Sequence, residues 1–85
     1  MAEAVRLCDL MPGQAGFVEE VMTGGAMRRR LLDIGLTVGA QVICVGRSPG
    51  GDPTAYLIRG AVIAIRRVDA AGIRIKPVGG NASWG

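Results

Sequence analysis

The sequence contains no histidine. It therefore lacks the commonest general base and the commonest transition-metal ligand. Its six candidate carboxylates, Asp9, Glu19, Glu20, Asp33, Asp52 and Asp69, are scattered along the chain. Glu19 and Glu20 are adjacent and would point to opposite faces of a strand. No metal site is expected within the chain, no cofactor, and no catalytic residue: there is no plausible Ser or Cys paired with a base. Aromatic residues make up only 4% of the chain. Phe17, Tyr56 and Trp84 are too far apart to line a groove for proline-rich peptides or to stack nucleic-acid bases. Cysteine is limited to Cys8 and Cys44, with no CxxC, so neither a zinc ribbon nor a disulfide framework is expected. The longest apolar run, Ala61 to Ile65, is far short of a membrane span. The start, "MAEAVRLCDL", has an acid at Glu3 and no apolar stretch, so no signal peptide is expected and the chain is assigned to the cytosol.

What is present fits one small domain. The 85 residues are 49% hydrophobic, and with so few aromatics the core must be aliphatic. Fourteen glycines favour tight turns and short strands over long helices. The net charge is +3, and all but one of the ten basic residues are arginine. That is compatible with an anionic partner without requiring one.

Apolar spacing and turn residues divide the chain. Val5 to Leu10 reads as a short edge strand, and Pro12-Gly13 as a turn. Phe17 to Met22 reads as a strand in which Val18 and Val21, three apart, both reach the core only across a bulge. "GGAMRRRLLDIG" is the one helix, with Met27, Leu31 and Ile34 on one face. Gly35 is placed to end it with positive φ, and Leu36 to fold back on Leu31. Ala40 to Val45 is a strand. "SPGGDP", residues 48 to 53, is a loop in which Asp52 bonds locally. It is Gly-rich, but it lacks the lysine and following helix of a phosphate loop. "TAYLIRGAVIAIR" holds two strands meeting at Gly60. "RVDAAG" is a helical turn or loop, and "IRIKP" a last strand. The fold class is therefore all-β with one short helix, a small closed β-barrel of five to six short strands. A single domain covers residues 1–78, and residues 79–85 form a flexible polar tail.

Several stretches resemble a known family. The pattern "LxxLxPGQxGxV", the helix "RRRLLDIGLTVG", the loop "SPGGDP", and "IRGxxIAIRxxDAxxIxI" are similar to those of the ferrous iron transport protein A (FeoA) family, over Leu7 to Ile75. The resemblance implies an SH3-like barrel. It also implies a cytosolic, non-catalytic accessory protein that works with a membrane ferrous-iron permease carrying a G-protein domain. The same fold occurs as an appended SH3-like domain in iron-dependent repressors.

Two surfaces are candidates for docking. On the helix, Arg28, Arg29 and Arg30 fan around the axis at about 100° per residue. Arg28, Arg29 and Asp33 face solvent, while Arg30 lays its stem along the core. They serve as a solvated face, as a protein contact, or as a grip on phosphates. On the sheet, if Tyr56, Ile58, Ile63 and Ile65 point inward, then Leu57, Val62 and Ala64 point outward. An apolar outer face suggests a covered one, by a second copy or by another protein. Two other readings remain: a nucleic-acid-binding barrel, and a regulatory module like the repressor-appended domain. Without a helix-turn-helix pattern the chain would not itself read DNA.

Overall fold

The computed structural model describes residues 5–78, and in it six strands form one antiparallel sheet. The strands are β1 (Val5–Arg6), β2 (Ala15–Val21), β3 (Gln41–Arg47), β4 (Thr54–Ile58), β5 (Ala61–Ile65) and β6 (Ile73–Pro77). Two helices join them, α1 (Gly25–Asp33) and the single turn α2 (Arg67–Ala70). The order across the sheet is β1-β6-β2-β3-β4-β5. Among the described residues β1 and β5 do not pair with each other, so the sheet curls around its core as a barrel-like layer rather than closing. The expected closure thus fails at one seam. The all-β class, the strand number and the main helix agree with expectation. The tail at residues 79–85 lies outside the described residues.

The first strand is shorter than the pattern of Val5 to Leu10 suggests. After Arg6 the chain turns into a 3-10 segment, Leu7–Asp9, whose start is held by Asp9 accepting from the Arg6 N–H at 3.2 Å. That turn drops Leu7 and Leu10 into the core. In β2 the register slips between Val18 and Glu20, and the bulge buries both Val18 and Val21 as the spacing requires. β3 carries a second slip between Cys44 and Gly46.

Helix α1 stops where Gly35 takes φ of 101°. The Leu36 N–H bonds to the Leu31 carbonyl at 3.0 Å, and the Gly35 N–H to the Leu32 carbonyl at 3.0 Å. This double closure satisfies carbonyls that the helix would otherwise leave open, and Leu31 and Leu36 are both buried beside it. The helix is only nine residues long, so this packing, more than its own propensity, keeps it folded.

The core is aliphatic apart from Tyr56 and Cys44, which lie opposite each other on β4 and β3. The Tyr56 hydroxyl donates to the Leu7 carbonyl at 3.2 Å, which meets its hydrogen-bonding need without water. Each fully buried Leu, Ile or Val contributes about 1.5–3 kcal/mol relative to exposure. Cys8 and Cys44 are free thiols, and burial raises the Cys44 pKa. Asp52 does not bond within its own loop. Its carboxylate accepts from the Arg67 N–H at 2.9 Å and ties the loop to the start of α2.

Candidate docking surfaces

The two sets of residues singled out in the sequence occupy separate surfaces. Met27, Leu31 and Ile34 turn one side of α1 toward the core, which leaves Arg28, Arg29, Leu32 and Asp33 on the other. Together with Gly25 they line a shallow depression of about 280 Å³. Arg28 is exposed, yet its guanidinium donates to the Val21 carbonyl at the end of β2. One arginine of the trio is thus partly engaged in anchoring the helix to the sheet. Arg29 and Asp33 are exposed and make no ion pair among the described residues.

Leu57 and Val62 are direct cross-strand neighbours on β4 and β5. Leu57 in turn lies opposite Ile43 on β3, so the three form a row across the outer face of the sheet. Val62 is 62% exposed and Leu57 is half-buried. Val45, Ala55 and Ala64 continue the same face, so its centre carries no charged side chain. A depression of about 360 Å³, lined by Ile43, Leu57 and Arg59 among others, opens on one side of the row. Another of about 270 Å³, bordered by Val45, Arg47 and Ala64, opens on the other. Arg59 thus borders the apolar centre, while Arg47, paired with the buried Thr54, donates to the Leu10 carbonyl at 3.1 Å. A buried apolar patch inside a polar rim is the usual anatomy of a protein interface.

Sequence reasoning named only the β4–β5 half of this face. The β3 half was signalled by "QVICV", where Ile43 and Val45 alternate with the buried Val42 and Cys44. Among the described residues no three Cys, Asp or Glu side chains converge as a metal-ligand set. No described helix is long and apolar enough to cross a membrane. The aromatics do not gather: Tyr56 is in the core, Phe17 is exposed on β2, and Trp84 lies outside the described residues.

Residues 5–77 match the family model of the FeoA domain. The chain belongs to the FeoA family. A FeoA protein from Chlorobium tepidum, solved by NMR, superimposes with a TM-score of 0.85 at 34% identity, covering 91% of this chain and 73% of that one. The crystal structure of Stenotrophomonas maltophilia FeoA complexed with zinc, described as a procaryotic SH3 domain protein, gives a TM-score of 0.76 at 26% identity, covering 85% of this chain and 89% of that one. A curated relative, the Fe(2+) transport protein A/Fe(2+) transporter FeoB fusion protein of Porphyromonas gingivalis, is 32% identical over 79 residues. Those residues are 93% of this chain but only 9% of the fusion protein, so the chain spans less than a tenth of that relative's length. The fold of this chain is thus SH3-like, with its sheet left open between β1 and β5 among the described residues.

Proposed function

We propose that this FeoA-family chain is a non-catalytic accessory module of ferrous-iron uptake. It docks on the membrane ferrous-iron permease that carries a G-protein domain, at the cytoplasmic face of the membrane. The observation that carries this reading is the fusion relative, in which a FeoA segment and an FeoB transporter share one polypeptide. Two modules joined covalently meet at high effective concentration, an arrangement suited to modules that work in contact.

The row Ile43–Leu57–Val62 with Arg59 beside it supplies the contact in this proposal, and Arg28, Arg29 and Asp33 a second, polar one. Residues 1–78 act as a single domain. Iron is the cargo of the partner, and this chain contributes binding energy alone.

The test is capture of the detergent-solubilised permease, and of its isolated G-protein domain, on immobilised chain at near-physiological salt, with an oligonucleotide as competing bait. The reading expects the permease to be retained, Val62→Asp to weaken retention through the sheet face, and Arg28→Glu to weaken it through the helix face. Retention of the oligonucleotide alone would overturn the reading and give the arginines to phosphates.

A further inference from the structure

A sheet that does not close has two edges, and here they are unequal. Among the described residues β1 has two, Val5 and Arg6. β5 runs for five residues, Ala61–Ile65, with no proline and no charged side chain. Its register with β4 is unbroken, whereas the bulges fall in β2 and β3. Short length, charge, proline and bulges are the devices by which proteins stop an edge from pairing with other chains. β5 has none of them.

The hairpin geometry shows what this edge offers. Arg59 and Gly60 form a two-residue turn with φ of 50° and 85°, which makes Ile58 and Ala61 a hydrogen-bonded pair. Such pairs alternate along an antiparallel ladder, so Ile63 and Ile65 also bond to β4. Val62 and Ala64 consequently turn their N–H and C=O groups away from β4. No main chain among the described residues pairs with them.

A groove of about 350 Å³ follows this edge, between β5 and α1, with Met27, Arg30, Ile34, Ile63 and Ala64 among its walls. Met27, Ile34 and Ile63 are half-buried against the core and make it apolar. The Ala64 side chain lies on the outer face, so its main chain is the part that meets the groove. A row of free peptide groups beside an apolar slot is what an extended peptide needs: backbone bonds for affinity and a place for alternate side chains.

The ends of the strand carry charge. Arg59 precedes β5, Arg66 and Arg67 follow it, and Arg30 stands across the groove. Of these four, only Arg66 forms an ion pair among the described residues, with Asp69 at 3.6 Å. A second copy is poorly suited to this edge. Antiparallel self-pairing through Val62 and Ala64, centred on Ile63, brings Arg66 and Arg67 of each copy to the Arg59 end of the other, and like charges so gathered oppose it.

We propose that β5 is a docking edge for an extended segment of a partner protein, apolar along one side and bearing carboxylates at its ends, which adds to the sheet beside Val62 and Ala64. The proposal deepens the docking reading above by naming the edge and the chemistry of the incoming strand. Its test contains no permease, so the two can fail separately.

The probe is an acetylated, amidated heptapeptide of alternating valine and threonine with an aspartate at each end, compared with the same peptide ended by lysines. Amide exchange is followed by NMR on the isotope-labelled full chain. In the free chain the Val62 and Ala64 amides should exchange far faster than those of Ile63 and Ile65. With the aspartate peptide at ten times its Kd, both should slow about tenfold, as mass action requires. The lysine peptide should bind about two- to fivefold more weakly, the scale of an exposed charge pair, and Arg30→Glu should narrow that gap. Ala64→Pro removes one edge N–H without touching the β4 ladder and should abolish the protection. The charge-reversal arm stands should that variant fail to fold. Slow Val62 and Ala64 exchange in the dilute free chain would overturn the proposal, as would equal affinity for the two peptides. Binding or its absence at millimolar peptide without protection of those two amides would do the same. Protection that grows with protein concentration and a doubled mass would name a second copy as the occupant and overturn the assignment to a partner protein.

Discussion

Arg59 donates from Nε to the main-chain oxygen of Gly35, 3.3 Å away, and so fastens the tip of the β4–β5 hairpin to the C-terminal cap of α1. Both residues have positive φ, 50° at Arg59 and 101° at Gly35. A Cβ at Gly35 would lie 2.5 Å from the Arg59 Cδ. The arginine stem can swing aside, so the backbone cost of a left-handed alanine, about 1–2 kcal/mol, sets most of the penalty. Gly35→Ala should lower unfolding free energy by that amount in a urea titration. Gly46→Ala, at ordinary φ with open space around it, should change it by less than about 1 kcal/mol.

Gly16 is tight for a different reason. A Cβ there would overlap Ile75 Cγ2 and lie 2.9 Å from the Lys76 carbonyl oxygen, where β2 and β6 run side by side. One obstacle is main chain and cannot rotate away. Gly16→Ala should cost about 1–3 kcal/mol, the usual range for overpacking. Thermal unfolding checks this, with an expected fall in Tm of several degrees.

Tyr56 makes stability sensitive to alkali. Burial of the phenol pushes its pKa up to about 12. An unfolded tyrosine titrates near 10. The folded state therefore holds its proton more tightly than the unfolded one. The stability from this group is complete below pH 10 and is lost as pH rises from about 10 to about 12, by about 2–3 kcal/mol. Tyr56→Phe should remove that slope. At neutral pH it should cost only about 0.5–1 kcal/mol, because the Leu7 carbonyl still accepts from the Leu10 N–H. Urea midpoints measured from pH 7 to 11.5 separate the two effects.

On the outer face, Val62 and Leu57 should respond differently to charge. Val62→Asp places a carboxylate at a position 62% exposed and should change stability by less than about 0.5 kcal/mol. Leu57→Asp partly buries its carboxylate and should cost more, about 1–2 kcal/mol. Loss of partner capture with an unchanged urea midpoint in Val62→Asp would mark this face as the contact.

Much of the architecture was legible because it is written in local signals. Gly35 after the Met27–Leu31–Ile34 stripe fixed the end of α1, and the three-residue step from Val18 to Val21 announced its bulge. The five-residue alternations around Gly60 gave both strands of a hairpin. The rest depends on distant residues. Nothing local in "VRLCDL" shows that Asp9 will turn back on Arg6, since that turn is selected by the core's demand for Leu7 and Leu10. Asp52 reads as a loop residue, yet its partner is fifteen positions away at Arg67. The open seam was invisible for the same reason. Whether β1 reaches β5 is decided by how the whole sheet curls.

The placement of β6 has a consequence for how the protein is made. β6, the last strand of the fold, is inserted between β1 and β2, the first two. Val18 and Val21 face their partners Ile75 and Ile73 only when the final segment is present. A ribosome that has released residues up to Gly72 has delivered almost every core side chain without the strand that joins them. The growing chain must therefore wait, partly collapsed, and lock in one late step once Ile73 to Pro77 is free to slide into place.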